Sequence, residues 1–225
     1  MKKRSTEKEL MDLGPEFYTH QEYRDCLKKL GVIGKWLGGN RATLWALRSL
    51  DNIFRSIIDV GCGNGALAHM FAQKFSNVRV VGVDIDQDAI KAAQEKPGTS
   101  NLTFQHQKNT SLLSLGQIYD VVHICLVCHH MTDDELVQFL VECKTVARKA
   151  IVINDLQRSL ISYMLFWVVS PLFFNRMTRY DGLLSIKRGF RKAELKNYLK
   201  QAGFAEHQYT ITWHWAFRWV VVVRL

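Results

Sequence analysis

The chain has 225 residues, 48% hydrophobic, 23% charged and 11% aromatic, with a formal net charge of +9. That length suits one compact domain, with or without a small helical attachment, and the ordinary apolar fraction excludes wholesale disorder, collagen and coiled coil. Five cysteines are too few for a disulfide scaffold, and their odd number favours free thiols in a reducing compartment.

The first residues, MKKRSTEKELMD, are charged and lack an apolar stretch, so no signal peptide and a cytoplasmic location are expected. Residues 1–52 read as a helical cap segment. The capping boxes Thr6-x-x-Glu9 and Thr19-x-x-Glu22 offer two helix starts, and Leu44, Leu47 and Leu50 give helical spacing over 41–50 after the break at Gly38-Gly39-Asn40. From residue 53 onward strands alternate with helices. Strands are expected at 56–60, 78–84, 102–106, 120–127 and 150–154, and helices at 65–75, at 87–95 and from Thr132-x-x-Glu135. Continuous Val/Ile runs between helices imply a parallel sheet covered on both faces. A last helix at 191–202, closed by Gly203, leads to strands at 206–213 and 217–225, whose short connection makes them antiparallel. The expected fold is α/β, a Rossmann-like doubly wound sheet of seven strands. It is mostly parallel with a C-terminal antiparallel hairpin. The long aromatic insertion at 156–190 is expected to cap the ligand crevice.

Strand one runs into Asp59-Val60-Gly61-Cys62-Gly63-Asn64-Gly65. Glycines at a strand-to-helix turn permit positive φ and close backbone approach to a ligand, and a helix amino terminus behind them attracts negative charge. Asp84 ends the second strand about 20 residues on, where a carboxylate can grip ribose hydroxyls. A dinucleotide site usually shows GxGxxG. Here the spacing is GxGxG, and Asp59 would repel a diphosphate while suiting an ammonium or sulfonium.

This pattern resembles the class I S-adenosylmethionine-dependent methyltransferases, and it covers most of residues 53–225. The resemblance implies S-adenosylmethionine as cofactor, with Asp59, Gly61, Cys62 and Gly63 around its methionine moiety. It further implies Asp84 on the ribose, Ile85 on the adenine face, and Leu126 and Val127 near the sulfonium. Lys108 or Asn109 stands where many relatives carry an acid for the adenine amino group, and Asn109, whose amide oxygen can accept, is the candidate. Arg41, with Arg4 behind it, is the candidate cation for the cofactor carboxylate. Within the family the chain looks most like ubiquinone and menaquinone methyltransferases, through His129-His130-Met131 and the apolar cap.

The candidate catalytic residues are His129 and His130, either of which could take a proton from an acceptor hydroxyl, and Asp155, which could orient that hydroxyl. Cys125-Leu126-Val127-Cys128-His129 matches the c-type haem pattern formally, but Cys125 falls inside a strand, so small buried cysteines are expected and no metal site is assigned. Residues 158–200 carry nine Lys/Arg against Asp181 and Glu194, beside the apolar run 160–174. That run is too short for a spanning helix of roughly 20 residues. The neighbourhood fits a hydrophobic small-molecule acceptor and peripheral contact with an anionic membrane. O-methylation of a phenolic, quinol or polyketide-like molecule is the leading expectation. A nucleic-acid methyltransferase and a dinucleotide-binding oxidoreductase are the alternatives; the first is disfavoured because Pro15, Pro97 and Pro171 form no base-modifying motif. The sequence leaves the oligomeric state open.

Overall fold

The computed structural model describes residues 1–50 and 54–225, so the expected boundary at 52/53 lies outside the described residues. Helices α1 (Leu10–Leu13), α2 (His20–Trp36) and α3 (Gly39–Arg48) precede the sheet. Then come β1 (Ser56–Val60), α4 (Ala66–Lys74), β2 (Arg79–Asp84), α5 (Gln87–Gln94) and β3 (Leu102–His106). The second half runs β4 (Tyr119–Cys125), α6 (Asp133–Val146), β5 (Ala147–Leu156), α7 (Leu160–Val169), α8 (Arg176–Arg188) and α9 (Lys192–Gln201), closing with β6 (Tyr209–His214) and β7 (Arg218–Arg224).

The sheet has the order β3-β2-β1-β4-β5-β7-β6. Strands β1 to β5 pair in parallel, while β7 is antiparallel to both β5 and β6. The order reverses between β1 and β4, which opens a crevice at their carboxyl ends. Adjacent residues of β1 serve opposite faces. Ile57 packs with Val80, Val121, Leu47 and Phe71, and Ile58 packs with Val81, Val122, Leu140 and Leu199. Burial of both faces is why these strands read as unbroken apolar runs.

Several expected boundaries shift for physical reasons. Strand β4 stops at Cys125, because Leu126 takes φ 58° and turns the chain. Strand β5 is longer than 150–154, since it starts at Ala147 opposite Tyr119 of β4 and pairs with β7 from Ala150 as far as Leu156 opposite Arg218. The boxes at Thr19 and Thr132 cap α2 and α6 as expected. The box at Thr6 starts no helix. Tertiary contacts capture that segment instead: Arg4 lies 4.5 Å over the Phe190 ring and donates to the carbonyls of Arg188 and Met131. Glu9 is buried rather than reaching back, and α1 follows it, with the Leu10 and Met11 amides bonded to the Asp181 carboxylate.

The insertion forms α7 and α8. Phe166 lies so close to Gly182 that a Cβ there would stand 2.5 Å from the ring, which lets the two helices close on each other. Part of the basic excess is internal: Arg158 is buried against Glu194 and the Gly189 carbonyl, and Arg188 donates to the carbonyls of Glu7, His129 and His130.

Candidate active site

A cavity of about 820 Å³ lies at the carboxyl ends of β1, β2 and β4, roofed by α1 and α2 through Met11, Leu27 and Leu30. Asp59, Gly61, Cys62 and Gly63 form one wall with Asp84, Ile85 and Asn109; Leu126 and Val127 face it from the end of β4. Gly61 has φ 67°, and a Cβ there would sit 2.3 Å from Val127 Cγ2, so only glycine lets these two turns approach.

Asp59 is buried at the end of β1. Its Oδ1 is 2.7 Å from His123 Nδ1, and its Oδ2 has no partner. Asp84 accepts from the Gly63 amide (2.8 Å) and the Asp86 amide (2.9 Å), which ties the glycine turn to β2. Burial nonetheless raises the Asp84 carboxyl above its ordinary range. Asn109 directs its carbonyl oxygen at the Ser111 amide and the Ser114 hydroxyl, so that oxygen is engaged within its own loop.

Arg41 is not on the cavity wall. Helix α3 begins at Gly39, two residues earlier than expected, which turns Gly39 and Asn40 to the cavity and leaves Arg41 exposed. Arg4 is likewise committed elsewhere, with its guanidinium on Asp133 and on loop carbonyls. The cation that does reach the cavity is Arg218, the first residue of β7, which the sequence reading missed. It is buried, its Nη1 is 3.4 Å from Asn154 Oδ1, and its Nε has no partner. A single Arg opening an otherwise apolar strand was the signal available.

Asp59 and Arg218 thus line the same cavity, and each keeps one buried polar atom, a carboxylate oxygen and a guanidinium nitrogen, without a partner. An amino-acid zwitterion supplies the ammonium and carboxylate that satisfy them, so the residues present fit the methionine end of S-adenosylmethionine.

His130 also lines the cavity, and its Nδ1 lies 2.9 Å and 3.0 Å from the Asp12 carboxylate oxygens. Burial opposes ionisation of Asp12, but the His130 hydrogen bond and the charges of His130 and Arg188 outweigh it and hold the carboxyl low. His129 and Asp155 lie behind this wall, not on it. They are buried and paired at 2.7 Å, and Asp155 also accepts the His129 amide at 3.2 Å. Burial likewise opposes Asp155 ionisation, and the His129 charge and hydrogen bond reverse it. Glu9 stands between the histidines, with Oε1 3.6 Å from His129 Nε2 and Oε2 3.9 Å from His130 Nε2. Burial pushes its carboxyl up to about 7, against the opposing pull of His130. Ligand-type atoms of Glu9, His129 and His130 lie within 4.8 Å of one another, a spacing that would accommodate a metal ion.

Of the cysteines in the CxxCH pattern, Cys128 is buried and Cys125 is half-buried on the cavity wall, and both are held as thiols. Burial pushes the Cys125 thiol up to about 12 and the Cys128 thiol well above its ordinary value. The aromatic residues of the insertion are also absent from the cavity wall: none of 156–190 lines it, and α1 and α2 do so in their place.

Residues 57–150 match the family described as a methyltransferase domain. A ribosomal protein L11 methyltransferase of Caldicellulosiruptor bescii is 32% identical over 88 residues, which is 38% of this chain and 29% of that protein. The chain therefore spans under a third of that relative's length. A ubiquinone biosynthesis O-methyltransferase of Haemophilus ducreyi is 22% identical over 157 residues, 66% of this chain and 64% of that one. Among solved structures, magnesium protoporphyrin IX methyltransferase from Synechocystis PCC 6803 with bound SAM superposes with a TM-score of 0.62 at 16% identity, covering 99% of both chains. Residues 57–150 therefore carry a methyltransferase domain, and the seven-stranded sheet with its antiparallel hairpin has the fold of the class I S-adenosylmethionine-dependent methyltransferases.

Proposed function

We propose that this chain transfers the methyl group of S-adenosylmethionine to a hydroxyl of a hydrophobic small molecule. The observation that carries this reading is one cavity lined both by Asp59 and Arg218, each with a buried atom left unpartnered, and by the His130–Asp12 pair. S-adenosylmethionine supplies a sulfonium methyl open to in-line displacement, with a leaving group that is already good. The protein's work is therefore alignment and exclusion of water. Asp59 and Arg218 anchor the amino-acid end, Asp84 takes the ribose hydroxyls, and Ile85 covers the base. Asp12 accepts from Nδ1–H of His130, which leaves Nε2 as the lone pair that receives the acceptor's proton. His129 and Asp155 act at one remove, by fixing the loop that carries His130. Leu27, Leu30 and Met11 make the roof apolar, which favours a lipophilic acceptor.

The test is transfer of labelled methyl into a panel of lipophilic phenols and quinols, beside total RNA and ribosomal protein. Label in the lipophilic phenols and quinols, lost in His130→Gln, supports the reading. Label confined to RNA or protein overturns it.

A further inference from the structure

Helix α7 is built the wrong way round for a helix packed on a protein. Its small polar residues Ser162 and Ser170 (the latter at its C-cap) are buried, while Leu160 (62% exposed), Trp167 (55%) and Val168 (60%) face outward. The turn that follows extends the pattern, with Leu172 78% exposed and Phe173 61%. A water-facing surface selects the opposite arrangement, and a contiguous exposed apolar patch of this kind marks a partner. The helix has ten residues, and no described helix is long and apolar enough to cross a membrane.

We propose that the outer face of α7 and the turn at 170–173 docks on the surface of an anionic lipid bilayer, with α7 lying in the interface. Three features select a bilayer over a second copy of this chain. Exposed Arg176 and Arg179 follow the apolar turn directly, and Lys187 lies over the Tyr163 ring on α7, so positive charge borders the patch at both ends. A two-fold interface between copies would bring these like charges together, whereas anionic headgroups neutralise them. Trp167 sits within the patch; Trp213, in β6 and tied through Nε1 to Gln157 Oε1 just before α7, and Trp215, in the turn after β6, are both exposed. Indole rings of this kind favour the headgroup level. Finally, α7 follows the carboxyl end of β5, so the docking face lies on the same edge of the sheet as the cavity. The inference concerns a surface and stands whether or not the acceptor assignment holds.

The experiment is vesicle flotation of the full chain without cofactor or acceptor, on phosphatidylcholine alone and on phosphatidylcholine with one quarter phosphatidylglycerol. Wild type, Trp167→Asp/Val168→Asp and Arg176→Glu/Arg179→Glu are compared, with circular dichroism and light scattering on each. The docking account expects at least tenfold stronger binding to the anionic vesicles, a blue-shifted tryptophan emission, and loss of both in either folded variant. It is overturned if folded wild type floats with neither vesicle, if the aspartate variant binds as well as wild type, or if light scattering shows a dimer that the aspartate variant dissolves.

Discussion

Asp59 and Arg218 carry opposite charges to one cavity, each with a single buried atom left without a partner. A hydrogen bond to a charged group contributes about 1.5–3 kcal/mol, so Arg218→Met should weaken S-adenosylhomocysteine binding by about 10- to 100-fold. Arg41→Met should leave it unchanged, and calorimetric titration of both reads the contrast directly. His130→Gln should lower kcat by about 10² to 10⁴ with little change in cofactor affinity, as loss of a positioned base does; equal losses in affinity and kcat would place His130 in cofactor binding instead. Asp59 was legible in the sequence because an acid directly before a glycine turn has few other uses. Arg218 was not, since its place beside the cavity depends on a hairpin folding back across more than 150 residues of chain. Asp12 escaped for a similar reason: it meets His130 only because the segment 1–9 is captured by Arg188 and Phe190 and not wound into a helix.

At the scale of single elements, caps and turns read well wherever the local sequence agrees with the packing around it. Thr132 accepts from the Glu135 amide while Glu135 accepts back from Thr132, and this box opens α6 immediately after the His130 loop. Thr132→Ala should cost about 1 kcal/mol of stability in urea unfolding. Gly61→Ala combines φ 67° with a Cβ 2.3 Å from Val127, so it should displace the turn and abolish cofactor binding while the sheet still forms. The Thr6 box shows the limit of such reading. Its local signal is as good as the other two, but the tertiary bonds of Arg4 and the burial of Glu9 outweigh one capping interaction. The aromatic insertion failed as a cavity wall for a different reason. Apolar periodicity tells that a helix has a face to bury, not what it will be buried against, and α7 turns that face outward.

Across the whole molecule, the parallel sheet and the terminal hairpin were implied by strand composition and by one short connection. The internal charge balance was not. Glu9 is buried with its carboxyl near 7 in place of the usual 4.5. Between those values the folded chain binds more protons than the unfolded one, so this group's stabilisation is complete below the unfolded value and is lost as pH rises through about 7. The loss amounts to about 3 kcal/mol. Glu9→Gln should therefore gain on wild type by that order between pH 5 and pH 8 in urea unfolding of metal-free protein; parallel pH profiles would show that Glu9 is not titrating in the folded state.

The glycine turn, Asp59, Arg218 and Asp84 form the proposed seat of an S-adenosyl nucleoside, and calorimetry tests that seat most directly. Wild type and Asp59→Asn would be titrated with S-adenosylhomocysteine and with NADH, their fold checked by circular dichroism. The prediction is micromolar binding of S-adenosylhomocysteine to wild type, at least tenfold weaker binding to folded Asp59→Asn, and no heat with NADH. A folded wild type that ignores S-adenosylhomocysteine, or prefers NADH, would contradict it.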